Sequence, residues 1–167
     1  LGIDEAFLDV SGARTVFGSP LQVAQLLRSR VRAETGLVCS VGAAATKFVA
    51  KVASGLSKPD GLLVIPEEKT LEFLHPLPIA KLWGVGAKSE EVLRGRGFHT
   101  IGDLARTPVD DLRRLLGEAA AHRLHDLAWG RDPRRVQAGA EEKSVGHEMT
   151  FSEDVVDAAV KIGRAHV

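Results

Sequence analysis

Residues 1–76 alternate between strand and helix signals, and that alternation rules out a simple helical bundle. The stretch Leu1 to Val10 reads as a strand, with Phe7 and Asp9 on one face and Ala6, Leu8 and Val10 on the other. Ser19-Pro20-Leu21-Gln22 then offers a cap residue, a proline at the first helical position and a glutamine three after the cap. Val23, Leu27 and Val31 recur every four residues, and Gly36 supplies the stop. Leu37 to Val41 reads as a short buried strand. Thr46 caps a second helix running to about Leu56, with Phe48, Val49 and Val52 on its inner face. Lys58-Pro59-Asp60-Gly61 is a turn, and Leu62 to Ile65 a further strand. The order is β-α-β-α-β, part of a sheet layer too small to bury a complete core alone.

From residue 77 the pattern changes to short helices punctuated by glycine and proline. Thr100 with Asp103 and Thr107 with Asp110 read as capping boxes, the second with Pro108 at its first helical position; Gly117 and Gly130 read as stops. A small all-helical domain is expected over 77–135. Apolar periodicity vanishes between Arg131 and Lys143, so 136–143 reads as a linker. Ser144 to Phe151 resumes as a strand, the start of a third unit over 144–160. Residues 161–167 resemble the translation of a sequencing adapter and are set aside as a non-native tail. With no initiating methionine and no signal pattern, the chain reads as truncated at its N-terminus.

The composition is globular, 44% hydrophobic and 26% charged, with no apolar run near the roughly 20 residues of a bilayer helix. Cys39 is the only cysteine, so an internal disulfide is excluded and a reducing, cytoplasmic setting is expected. The net charge of zero conceals a gradient. Residues 77–135 hold eleven Lys and Arg against eight Asp and Glu, while 136–167 hold three against six. A basic middle third is compatible with a polyanionic partner.

Three stretches carry chemistry. In Ile3-Asp4-Glu5-Ala6-Phe7-Leu8-Asp9, two adjacent carboxylates repel each other unless a cation or a set of donors stabilises them. Oxygen ligands of this kind suit Mg²⁺. Asp9 is set to favour the turn at Ser11-Gly12. In Ser40 to Gly61, Lys58 sits in a turn after a helix, where it can meet a phosphate as a point charge. Lys47 and Lys51 lie four apart on one helix face and read as solvated charges. In Leu82 to Leu104, Gly84-Val85-Gly86 lies between two short helices. There the backbone can approach an anion, and the helix N-terminus adds amide donors and Lys88 a charge. His75, His99, His122 and His125 lack metal-ligand spacing.

Together these stretches resemble the Y-family DNA polymerases, most closely the DNA polymerase IV branch. The likeness runs in order through Asp4-Glu5, Lys47 to Lys51, Ala53 to Gly61, Trp83 to Gly86 and Lys143 to Gly146. It implies an α+β chain: the C-terminal part of a palm with a mixed sheet (1–76), a helix-hairpin-helix thumb (77–135), and the start of a little finger. It also implies that Asp4 and Glu5 are two of three catalytic carboxylates for a pair of Mg²⁺ ions. By the same likeness Lys58 contacts the incoming deoxynucleoside triphosphate, and Gly84, Val85, Gly86 and Lys88 hold the backbone of primer-template DNA. The implied reaction is attack of a primer 3′-hydroxyl on the α-phosphate with loss of pyrophosphate, in an error-prone translesion enzyme; a monomer is the default expectation. A sliding clamp would be met through parts absent here, no membrane is involved, and the isolated chain is expected to be inactive.

Two positions depart from the family pattern: Gly2 stands where serine is usual, and Thr46 where asparagine is frequent. The alternatives are a non-catalytic polymerase-like accessory protein, against which the retained Asp4 and Glu5 argue, and a free-standing helix-hairpin-helix module. A nuclease would need a general base or a histidine cluster that the sequence does not offer.

Overall fold

A computed structural model describes residue 2 and residues 4–137. The expected linker beyond 137, the strand at 144–151, the little-finger start at 144–160 and the tail at 161–167 lie outside the described residues.

After a turn of 3₁₀ helix at Ser11–Ala13, helices α1 (Arg14–Phe17) and α2 (Pro20–Thr35) lead into strand β1 (Val41–Ala43). Helix α3 (Lys47–Leu56) crosses over to β2 (Leu62–Val64), which pairs parallel to β1 with Val41 opposite Leu62. Then follow α4 (Thr70–Leu74), a 3₁₀ turn at Ile79–Lys81, α5 (Ala87–Gly95), α6 (Ile101–Arg106), α7 (Val109–Leu116) and α8 (Glu118–Ala128). No helix among the described residues is long and apolar enough to cross a membrane.

The helix starts follow local chemistry. Ser19 and Gln22 close a reciprocal capping box on α2, which ends at Gly36 in the left-handed conformation (φ 72°). Thr46 accepts from the Val49 amide at the start of α3. Thr100 and Asp103 close a second box on α6, the Asp103 carboxylate accepting from the Thr100 amide at 2.7 Å. The expected box at Thr107 is absent. The Thr107 hydroxyl donates back to the Asp103 carbonyl at 2.9 Å, Asp110 pairs with Arg113, and Pro108 sits at the cap instead of inside the helix.

Two strand expectations are corrected. Residues 4–10 form no strand: Ala6 and Leu8 are exposed, Leu8 by 60%, and no neighbouring strand among the described residues shares their backbone hydrogen bonds. An alternating pattern alone does not make a strand without a partner. The sheet therefore has two parallel strands among the described residues, where the sequence suggested three in a mixed sheet. The second correction moves β1 toward Gly42, leaving Leu37 and Val38 exposed. A Cβ built on Gly42 would run into the backbone of Ala50 and Ser54, so this glycine lets α3 close onto the sheet.

The inner face of α3 anchors the core: Phe48 and Ala53 are fully buried, with Val49 and Val52 beside them. From there one continuous apolar cluster runs through Leu74, Ile79, Leu93, Leu104 and Leu112 to Leu124, on both sides of residue 76. Buried residues before and after residue 76 share this cluster.

Candidate active site

The two carboxylates lie on an irregular segment that a turn begins: the Glu5 amide donates to the Gly2 carbonyl at 3.1 Å, and the Gly2 amide to Glu5 Oε2 at 3.3 Å. Asp4 is exposed. Glu5 meets Lys51, whose Nζ donates to both carboxylate oxygens at 2.8 and 2.6 Å. That hydrogen bond, then the Gly2 amide, then the charges of Lys51 and Lys58 hold the Glu5 carboxyl below its ordinary value. Thus, at Glu5, the repulsion expected between adjacent carboxylates is met by Lys51, with the Lys58 charge adding to it. Lys51, which the sequence suggested was solvated, is the central one.

Gly2 bears on the pair directly. A Cβ there would lie 2.6 Å from Asp4 Oδ1, so any side chain at this position turns the Asp4 carboxylate aside. Asp9 behaves as expected and is apart from the site, its Oδ1 accepting from the Ser11 amide at 2.9 Å and the Ser11 hydroxyl at 2.6 Å.

Lys58 is exposed in a turn that α2 ties down. Arg28 donates to the Asp60 carbonyl and, at 2.6 Å, to Asp60 Oδ1, with Arg32 at 3.5 Å from Oδ2. Asp60 occupies the left-handed region (φ 51°), and the Lys58–Pro59 peptide is cis. The turn expected from the sequence is present, and it keeps Lys58 close enough for its charge to act on Glu5.

Gly84, Val85 and Gly86 form the loop between the 3₁₀ turn and α5, closed by the Val85 amide donating to the Leu82 carbonyl. Gly84 needs its glycine: φ is 103°, and the guanidinium of Arg123 lies 2.6 Å from where a Cβ would stand. Gly86 caps α5 in an extended conformation (φ −90°, ψ 176°), and a Cβ on it would meet nothing within 4 Å. The N-terminus of α5, with the positive end of the helix dipole, thus starts beside an uncrowded position, and Lys88, the second residue of the helix, is exposed. Arg123, from α8, adds a cation that no local pattern signals.

The exposed carboxylates are hard oxygen donors of the type Mg²⁺ takes, so the donor chemistry fits. Their number does not complete a site, for among the described residues no three potential ligands cluster.

Sequence reasoning also missed the segment after α8. Asp132, with its side chain 1% exposed, accepts from the Phe48 amide at 3.1 Å and from Arg134 at 2.7 and 2.9 Å. Asp132 thus joins Thr46 in capping α3. Burial pushes its carboxyl up, but the Arg134 hydrogen bonds and the Phe48 amide outweigh this and leave it lowered.

Comparison with known proteins bears on the family and the fold. The model of the impB/mucB/samB family matches residues 1–55, and that of the IMS family HHH motif matches residues 67–98. DNA polymerase IV 2 of Mesorhizobium japonicum is 46% identical over 160 residues, covering 96% of this chain and 39% of that protein. DNA polymerase IV of Exiguobacterium sibiricum is 41% identical, covering 94% and 44%. The chain spans less than half the length of these curated relatives. Among solved structures, an insertion ternary complex of Dbh DNA polymerase superposes with a TM-score of 0.71 at 27% identity, over 78% of this chain and 38% of that one. DinB from Sulfolobus solfataricus gives 0.69 at 26% identity, with the same coverage. With two family models, these relatives and the shared α+β fold with its helix-hairpin-helix in agreement, the chain belongs to the Y-family DNA polymerases, in the DNA polymerase IV branch.

Proposed function

We propose that this chain is the palm-and-thumb portion of an error-prone translesion polymerase that adds deoxynucleotides to a primer 3′ end, and that it does not polymerise alone. Residues 1–76 are the C-terminal part of the palm, 77–135 the thumb, 136–143 the linker and 144–160 the start of the little finger. The observation that carries this reading is the carboxylate pair set among lysines: Asp4 exposed, Glu5 held ionised by Lys51, and the Lys58 charge nearby.

Asp4 and Glu5 would hold Mg²⁺, which when bound supplies charge stabilisation at the reacting phosphate. Lys58, on its braced turn, binds the triphosphate as a point charge. The amides after Gly86, with Lys88, hold a backbone phosphate of primer-template DNA without reading sequence. Catalysis by such residues is chiefly positioning. On this reading the isolated chain is inactive because Asp4 and Glu5 are two of the three carboxylates that the family resemblance implies.

Binding of primer-template DNA, followed by fluorescence anisotropy over a salt series, tests the thumb half of this reading. A side chain on Gly86 points into open space, so Gly86→Ile should fold normally. It should weaken DNA binding about tenfold or more by covering the α5 amides, and lower the salt dependence by roughly one phosphate contact. Unchanged affinity across the series would sink the assignment of this loop.

A further inference from the structure

Trp83, half-buried just before Gly84, is where the carboxylate segment meets the rest of the protein. Among the described residues, 4–10 have no strand pairing, so tertiary contacts fix them. One is the Phe7 ring, stacked on Trp83 with centroids 6.3 Å apart and planes 23° from parallel. Another is the Lys51 grip on Glu5, and the Lys51 ammonium itself lies 5.6 Å from the Trp83 centroid. Arg134 sits over the same ring at 4.0 Å, and buried Asp132 holds it there. Lys47 covers Phe7 at 4.9 Å.

We propose that Trp83 is a positioning residue for the Glu5 carboxylate, its ring fixing both Phe7, two residues along the chain, and the Lys51 ammonium that holds both Glu5 oxygens. Trp83 touches neither carboxylate and acts through these two side chains. A ring face attracts a nearby cation and an offset ring pair resists sliding, so removing the indole frees Phe7 and Lys51 together. Because Arg134 backs the ring, order at the carboxylates depends on the segment after α8 being docked. The functional meaning of this inference rests on the reading of Asp4 and Glu5 as metal ligands, but the contact itself does not.

The test is NMR on the isotope-labelled full chain, following the Phe7 ring resonances and the exchange of the Lys51 ammonium protons with water. Trp83→Leu should shift the Phe7 ring and speed Lys51 exchange about two- to tenfold, the range for losing one aromatic pair. Trp83→Phe should recover much of the effect, which a merely space-filling role would not require. Phe7→Leu lies outside the core cluster, so it tests the relay even if Trp83→Leu fails to fold. It should speed Lys51 exchange as well, and the double variant should do no more than either alone. Lys51 exchange unchanged in both single variants, or fully additive effects, would overturn the proposal. Mn²⁺ broadening of the Asp4 and Glu5 amides reads the metal assignment separately. If the unsubstituted chain shows none, the metal reading fails, while the Lys51 result still decides the positioning role.

Discussion

Replacing Asp132 with alanine removes two supports of α3 at once. The lost cap on the Phe48 amide costs about 1 kcal/mol. The two charge-assisted bonds from Arg134 would be worth more if buried, but Arg134 is 40% exposed and can turn to water, so about 1 kcal/mol is a fair share. The sum, about 2 kcal/mol, lowers the melting temperature by about 4–8 °C in a chain of this size. Asp132→Asn keeps an oxygen for the Phe48 amide and loses the charge, so it should fall about halfway between. Thermal unfolding at neutral pH, followed by far-UV circular dichroism, gives all three values. The folded carboxyl is held below its ordinary 3.8, so its contribution is complete above that pH and disappears as pH falls through the lowered value. The difference between parent and alanine variant should shrink accordingly in acid. An alanine variant melting within about 1 °C of the parent would refute the docking of the segment after α8.

Other expectations can be checked with the same instrument. Asp103 is held below 3.8, first by the Thr100 amide; burial pushes the other way, but the Thr100 hydroxyl, the His99 amide and Arg106 add to the amide and leave the carboxyl lowered. Its contribution is therefore complete above pH 3.8 and lost as pH falls through the lowered value, and Asp103→Asn, about 1 kcal/mol less stable at neutral pH, should converge with the parent in acid. Equal separation at every pH would contradict this. Gly42→Ala should cost about 2 kcal/mol or more, because even one methyl pushes α3 off the sheet. An unchanged melting temperature would mean that the close approach at Gly42 does not hold.

What the sequence disclosed was what short-range chemistry decides. Ser19, Thr46 and Thr100 announce their helices because a cap bonds to an amide three residues away, and the structure has all three. Thr107 fails because its hydroxyl donates back to the Asp103 carbonyl and the cap position falls on Pro108, one residue later. The carboxylate pair and the glycine loop were visible as residue types at known spacing. Their partners were not. Lys51 reaches Glu5 across 46 positions and Asp132 reaches the Phe48 amide across 84, and no local pattern encodes either. The first strand was misread for a related reason: alternation describes a surface, whereas a strand also needs a neighbour to complete its hydrogen bonds. At β1 the decisive residue was Gly42, where the missing side chain, not a hydrophobic run, sets the contact with α3.

The proposed role of Asp4 and Glu5 is nucleotidyl transfer. Primer extension with Mg²⁺ by a chimera tests it most directly, with residues 1–137 placed in a working DNA polymerase IV that supplies the remaining parts. The account predicts extension by the chimera and its loss, by about a hundredfold or more, in Asp4→Ala, with primer-template binding kept. A chimera that folds and binds DNA yet never extends, or one that extends equally well after Asp4→Ala, would contradict the account.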